Sequence, residues 1–137
     1  MKTSGDIKQA LLRFYDRRSA ADTSSFESIV SKEVKIVLGT TEGEWFLDRE
    51  KLRGDFGKAG LRVESDSVLG FEEGTMGWAV DKPTLQGPNG YVVKTRLSVV
   101  FRHEDGEWKI VHMHFSVGVP DEEVVALQKK WLSQATQ

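Results

Sequence analysis

Two stretches of strictly alternating character, Tyr91 to about Arg102 and Trp108 to Val117, flank the dipeptide Asp105-Gly106. Side chains of period two lie on opposite faces of a strand, and Asp-Gly is a strong signal for a two-residue hairpin turn. With an even loop the register follows. Phe101 pairs with Ile110, Val99 with His112, and Leu97 with His114. One face then carries Tyr91, Val93, Thr95, Leu97, Val99 and Phe101 beside Trp108, Ile110, His112, His114 and Ser116. The other carries Lys94, Arg96, Ser98, Val100 and Arg102 beside Lys109, Val111, Met113, Phe115 and Val117. The first face is the more apolar and is expected to line the core, with the two histidines at its polar end.

A chain that ends in a long hairpin needs other elements to cover the buried face. Ile7, Ala10, Leu11, Phe14 and Arg18 recur at three- and four-residue spacing, which predicts a helix from about Ser4 to Ala21 with Thr3 or Ser4 as its cap. Ser24-x-x-Glu27 reads as a capping box that starts a second, short helix. Val34–Leu38 and Glu44–Leu47 read as short strands. Asp48 is placed to cap a third helix, Arg49 to about Ala59, stopped by Gly60. From Leu61 the period changes to two and runs to Phe71. After Glu73-Gly74, Met76, Trp78 and Val80 alternate in a further strand, and Gln86–Gly90 turns the chain. Pro120 and the acids 121–123 open a last helix, to about residue 135, with Val124, Leu127, Trp131 and Leu132 on its apolar side. The order α-α-β-β-α-β-β-β-β-α predicts an α+β domain with an antiparallel sheet packed on its early helices. The length of 137 residues fits one domain, 1–137.

The segments Gly43-Glu44-Trp45-Phe46-Leu47-Asp48-Arg49-Glu50-Lys51-Leu52, Arg96–Phe101 and Asp105–Ser116 resemble the SnoaL-like domains of the nuclear-transport-factor-2-like superfamily. The tail of the hairpin is also similar to the association domain of calcium/calmodulin-dependent protein kinase. The resemblance covers about residues 4–119. It departs at Asp48, where the family pattern has Gly, and a capping role accounts for the change. The resemblance implies a cone-shaped, cystatin-like roll: a curved sheet wrapped around the N-terminal helices, with a pocket inside and a homodimer as the usual assembly. It also implies a choice among cyclases, isomerases, dehydratases and non-enzymatic binding or assembly domains, which a fold alone cannot make.

His112-x-His114 places two imidazoles on one face, about 6.5–7 Å apart along a strand. Imidazole titrates near neutrality, so the pair suits acid–base chemistry, ligand hydrogen bonding or metal ligation. A metal needs a third ligand, and none is positioned by the pattern, so no metal site is assigned. The plain alternative is a pair of histidines bonded to neighbouring side chains or backbone. Tyr15, Trp45, Phe56, Trp78, Val99, His112 and His114 are the expected pocket lining, with Trp108 and Trp131 assigned to packing. Arg96 could bind an anion, but parity turns it outward unless a bulge intervenes. On the outer face, Val100, Met113 and Phe115 form an apolar patch rimmed by Arg96, Arg102 and Lys109, the expected dimer interface.

Other classes are excluded. The formal net charge of −2 leaves no footprint for nucleic acid, and the chain has no cysteine for disulfides, thiolate catalysis or cysteine-based zinc sites. With 39% hydrophobic and 29% charged residues the composition is globular. No apolar run can span a bilayer. The polar start, Met1 to Asp6, lacks the apolar core of a signal peptide, so a cytoplasmic location is the expectation. No phosphate-binding glycine loop, hydrolase elbow or dinucleotide fingerprint occurs. No cofactor is expected; the expected partners are a small organic ligand and a second copy of the chain.

Overall fold

The computed structural model describes residues 1–135. In chain order the elements are β1 (Lys2–Thr3), α1 (Gly5–Ser19), a 3-10 turn (Thr23–Ser25), α2 (Phe26–Ile29), β2 (Val37–Leu38), β3 (Trp45–Phe46), α3 (Arg49–Phe56), β4 (Arg62–Glu64), β5 (Leu69–Glu73), β6 (Met76–Asp81), β7 (Thr84–Gln86), β8 (Val92–Glu104), β9 (Glu107–Val117) and α4 (Asp121–Ala135). The strands run β1-β5-β6-β8-β9-β2-β3 across a curved sheet, and β7 joins β8 to β4. The pairs are antiparallel except β2 with β9, which is parallel. The result is an α+β roll with N-terminal helices inside the curve and a C-terminal helix beyond it.

Local chemistry accounts for most boundaries. Ser4 caps α1 by accepting from the Ile7 backbone N–H, and Asp48 caps α3 by accepting from that of Glu50 at 2.8 Å. The hairpin turn has φ of 53° at Asp105 and 77° at Gly106. Two positive φ values are what a tight turn of this hand needs. The core gathers Ile7, Leu11, Phe14 and Tyr15 of α1, Phe26 and Ile29 of α2, and Leu52 and Phe56 of α3 against Leu97, Val99, Phe101, Ile110 and Met113. Helix α1 crosses the sheet over glycines of β5 and β6. A Cβ on Gly70 would lie 2.8 Å from the Ser4 carbonyl oxygen, and one on Gly77 would lie 2.6 Å from Ile7.

Helix α3 ends at Phe56 with Gly57 as its C-cap, short of the expected stop at Gly60, and four larger features differ from the sequence reading. The expected capping box of the second helix is absent: Asp22 accepts from the Ser24 N–H, while Glu27 bonds to Arg49 and Arg53 of α3. The alternating run from Leu61 to Phe71 is two strands, because Ser65 and Ser67 leave the ladder to bond Asp81. Helix α4 buries none of its residues, and Trp131, expected to pack, is exposed.

The fourth is the hairpin register. Phe101 does pair with Ile110, but Val100 pairs with His112 and Val99 with Met113. Val111 is an extra residue, a bulge in β9. Its cause lies on the open edge of that strand, where the incoming segment 30–36 docks. Ser31 N–H donates to the Ile110 carbonyl at 2.9 Å and Lys35 N–H to the Val111 carbonyl at 3.0 Å. Consecutive carbonyls thus serve the same neighbouring segment, which a regular ladder does not allow. Every side chain of β9 beyond the bulge changes face.

Candidate functional site

Inside the cone lies a cavity of about 120 Å³. Its wall on the sheet side is Val37, Val63, Leu85, Met113 and Phe115; on the helix side it is Phe14, Arg18, Leu52, Asp55 and Phe56. The loop from Gly39 to Glu44, with Phe46 of β3, forms the rim. Glu44 closes that loop on itself, accepting from the Thr41 N–H at 3.1 Å and from the Thr41 hydroxyl at 2.7 Å. The lining is predominantly apolar, with few polar groups, as small-molecule sites are.

Arg18 is the buried charged group of the cavity. It occupies the fourth position of the apolar stripe Ile7-Leu11-Phe14-Arg18, so α1 carries it inward, and its side chain is 8% exposed. Nη1 donates to the Lys58 carbonyl at 2.8 Å, and Nη2 stands 3.9 Å from an Asp55 carboxylate oxygen. Burial lowers the guanidinium pKa, and the Asp55 charge opposes that effect.

A second buried polar group sits at the end of β6. The Tyr15 hydroxyl donates to Asp81 at 2.5 Å, and the other Asp81 oxygen accepts from the hydroxyls of Ser65 at 2.6 Å and Ser67 at 2.7 Å and from the Lys82 N–H at 2.7 Å. Burial above all, and then the bond to Asp81 and its charge, pushes the Tyr15 pKa up. These bonds occupy both groups, so the cluster reads as a satisfied buried network.

The bulge decides where the expected site residues stand. Met113 and Phe115, expected on the outer face, line the cavity. His112 and His114, expected to line it, point from the outer face. His112 is half-buried, and its Nδ1–H donates to the Ile36 carbonyl at 2.5 Å; His114 is exposed. Phe56 lines the cavity, Val99 is sealed in the core, and Tyr15 borders a separate open groove between α1 and β4. Trp45, 56% exposed, and Trp78, stacked on Phe71 with ring centroids 4.5 Å apart, lie outside the cone. Trp78 faces out because the inward positions of β6 are Gly77, Ala79 and Asp81, small enough for α1 to approach.

Val100, Arg96 and Arg102 are on the outer face, as the parity of β8 requires. Arg102 is spent within the chain, on Glu33 at 2.8 Å and on Glu104. Lys109 lies 3.7 Å from Asp105 in the turn. The outer apolar surface that does exist runs through Leu69, Met76, Trp78, Val80 and Val100. Among the described residues no cluster of three or more His, Cys, Asp or Glu is arranged to hold a metal ion, and no helix is long and apolar enough to cross a membrane.

Sequence reasoning missed Arg18 as a site residue, although its signal was present: a charged residue at a position of the apolar stripe. It missed Asp81 because the flanking Gly77 and Ala79 give no hydrophobic alternation to mark the inward side.

Comparison with known proteins agrees with the fold. The family model for the SnoaL-like domain matches residues 7–120. An NTF2-like protein of Pseudomonas putida KT2440 superposes with a TM-score of 0.73 at 14% identity, over 89% of this chain and 94% of the other. An NTF2-like protein of Streptomyces avermitilis, provisionally assigned as a dehydratase, gives 0.72 at 13% identity, over 84% and 95%. The association domain of CaMKII from C. elegans gives 0.66 at 17%, over 82% and 96%. At such identities the likeness is one of fold. No curated protein matches in sequence.

Proposed function

This chain belongs to the SnoaL-like domain family, and we propose on that premise that it is a homodimeric binding domain whose cone holds a small organic ligand. The observation that carries the reading is the cavity between α1, α3 and the inner sheet face, apolar around one buried arginine. A void in a protein interior forfeits packing contacts, and a lining that mixes apolar walls with a few charged groups, Arg18 the buried one, suits a ligand better than a filled core. The acid–base enzyme reading rested on His112 or His114 and loses its support with the position of β9, since a general base must reach the reacting proton. The test is a thermal-shift and NMR screen of small organic compounds against the chain and its Leu85→Phe variant, which fills the cavity. Binding that is lost in a folded Leu85→Phe supports the reading; binding that survives places the ligand elsewhere.

The homodimer rests on a different observation. Leu69, Met76 and Trp78, on the outer face of β5 and β6, are 58%, 43% and 36% exposed. A contiguous exposed apolar patch, when large, marks a contact surface, and a two-fold contact would cover it on both copies at once. In sedimentation, Trp78→Glu is expected to weaken the dimer strongly. A dimer of unchanged affinity would contradict this interface.

A further inference from the structure

We propose that the cavity selects a small carboxylic acid of about four to six carbons, bound as the carboxylate on Arg18. The inference deepens the binding-domain reading and rests on it. The cavity, about 120 Å³, is close in size to an engineered apolar cavity of about 150 Å³ that takes benzene. A ligand of drug or polyketide size needs several hundred Å³ and does not fit.

Arg18 also has unspent hydrogen-bonding capacity. A guanidinium has five N–H donors. The described contacts of Arg18 are one bond to the Lys58 carbonyl and the approach of Asp55 at 3.9 Å, which is beyond hydrogen-bond length. Among the described residues no side-chain nitrogen or oxygen sealed from open space lacks a partner. The Arg18 nitrogens without a described bond, Nε and Nη2, therefore keep some open surface, and the cavity that Arg18 lines offers that space. The negative groups nearby do not compete well. Glu44 is committed to its own loop, and Asp55 is a third exposed and balances Arg18 only at a distance. A planar carboxylate matches the two-donor edge of guanidinium. Its short hydrocarbon body would lie against Leu52, Phe56, Met113 and Phe115, all apolar cavity walls.

The experiment is calorimetric titration of the whole chain with isovalerate, with the isosteric neutral isovaleramide, and with benzene as an uncharged probe of the cavity. Isovalerate is expected to bind roughly tenfold or more tightly than the amide, the difference expected of charge-assisted bonds. Arg18→Met should abolish that preference while benzene still binds. Asp55→Asn removes the negative charge 3.9 Å from Arg18, which repels a bound carboxylate, and should tighten isovalerate severalfold without changing the amide. This second variant keeps the test decisive if Arg18→Met fails to fold. Equal binding of acid and amide, or benzene bound and isovalerate not, overturns the carboxylate assignment and leaves the cavity reading standing. If none of the three binds, both fall.

Discussion

Val100 lies opposite His112 across the long hairpin, one residue out of step with the neighbouring pair Phe101 and Ile110. The offset turns Met113 into the cone and His114 out of it, so substitutions at adjacent residues should behave oppositely. Met113 is 2% exposed, and Met113→Ala should cost about 2–4 kcal/mol, the usual range for a buried truncation. His114→Ala should stay within about 0.5 kcal/mol, as for an exposed site. Urea denaturation of both variants checks the pair. A larger loss at His114 than at Met113 would argue for a regular hairpin without the bulge.

The Tyr15–Asp81 bond makes an asymmetric prediction. Tyr15→Phe removes one donor from an acid that keeps Ser65, Ser67 and the Lys82 N–H, and should cost about 1–2 kcal/mol. Asp81→Ala leaves the Tyr15 hydroxyl and the serines without their acceptor and should cost more, about 2–3 kcal/mol. The raised Tyr15 pKa sets the sign with pH. Its contribution is complete below the ordinary tyrosine value of about 10 and declines as the pH rises beyond it. In a Tyr91→Phe chain, tyrosinate absorbance should therefore appear only together with alkaline unfolding. Absorbance rising while the fold is intact would contradict the buried bond.

Glu27 gives the acid side of the profile. Hydrogen bonds from Arg49 and then Arg53 hold its carboxyl at about 2. A lowered folded-state pKa contributes stability above the unfolded value, about 4.3, and loses it as the pH falls towards 2. The side chain is half exposed, so solvent screening keeps the contribution modest. The difference in urea midpoint between the chain and Glu27→Gln should be largest above pH 5 and vanish near pH 2. A difference that does not change with pH would mean that the bridge from α2 to α3 contributes nothing through charge.

What could be read from the sequence was what neighbouring residues decide. The Asp105-Gly106 turn, the caps at Ser4 and Asp48 and the alternation of β8 all depend on residues close in the chain, and with the family likeness they led to the α+β roll. The bulge could not be read, because Val111 is displaced by backbone groups of Ser31 and Lys35, about eighty residues earlier. Nothing in the alternation of β9 records that contact. The outward position of Trp78 was hidden in a similar way. Trp and Val looked like the inner positions of β6, while Gly77 and Ala79 are inward because α1 passes close above them. Arg18 was legible as a departure from its own stripe, and a charged side chain on a core-facing position is the signal to weigh first in a pocket of this kind.

The chain has three methionines, Met1, Met76 and Met113, and only Met113 lines the cone. Met1 and Met76 are exposed on the sheet's outer side. Methyl-labelled methionine therefore reports the cavity and the strand register in one spectrum. On titration with benzene, the Met113 methyl resonance should shift and saturate while those of Met1 and Met76 stay in place. A Met113 signal that does not move, or a shift confined to Met76, would contradict the account of a ligand-sized cavity inside the cone.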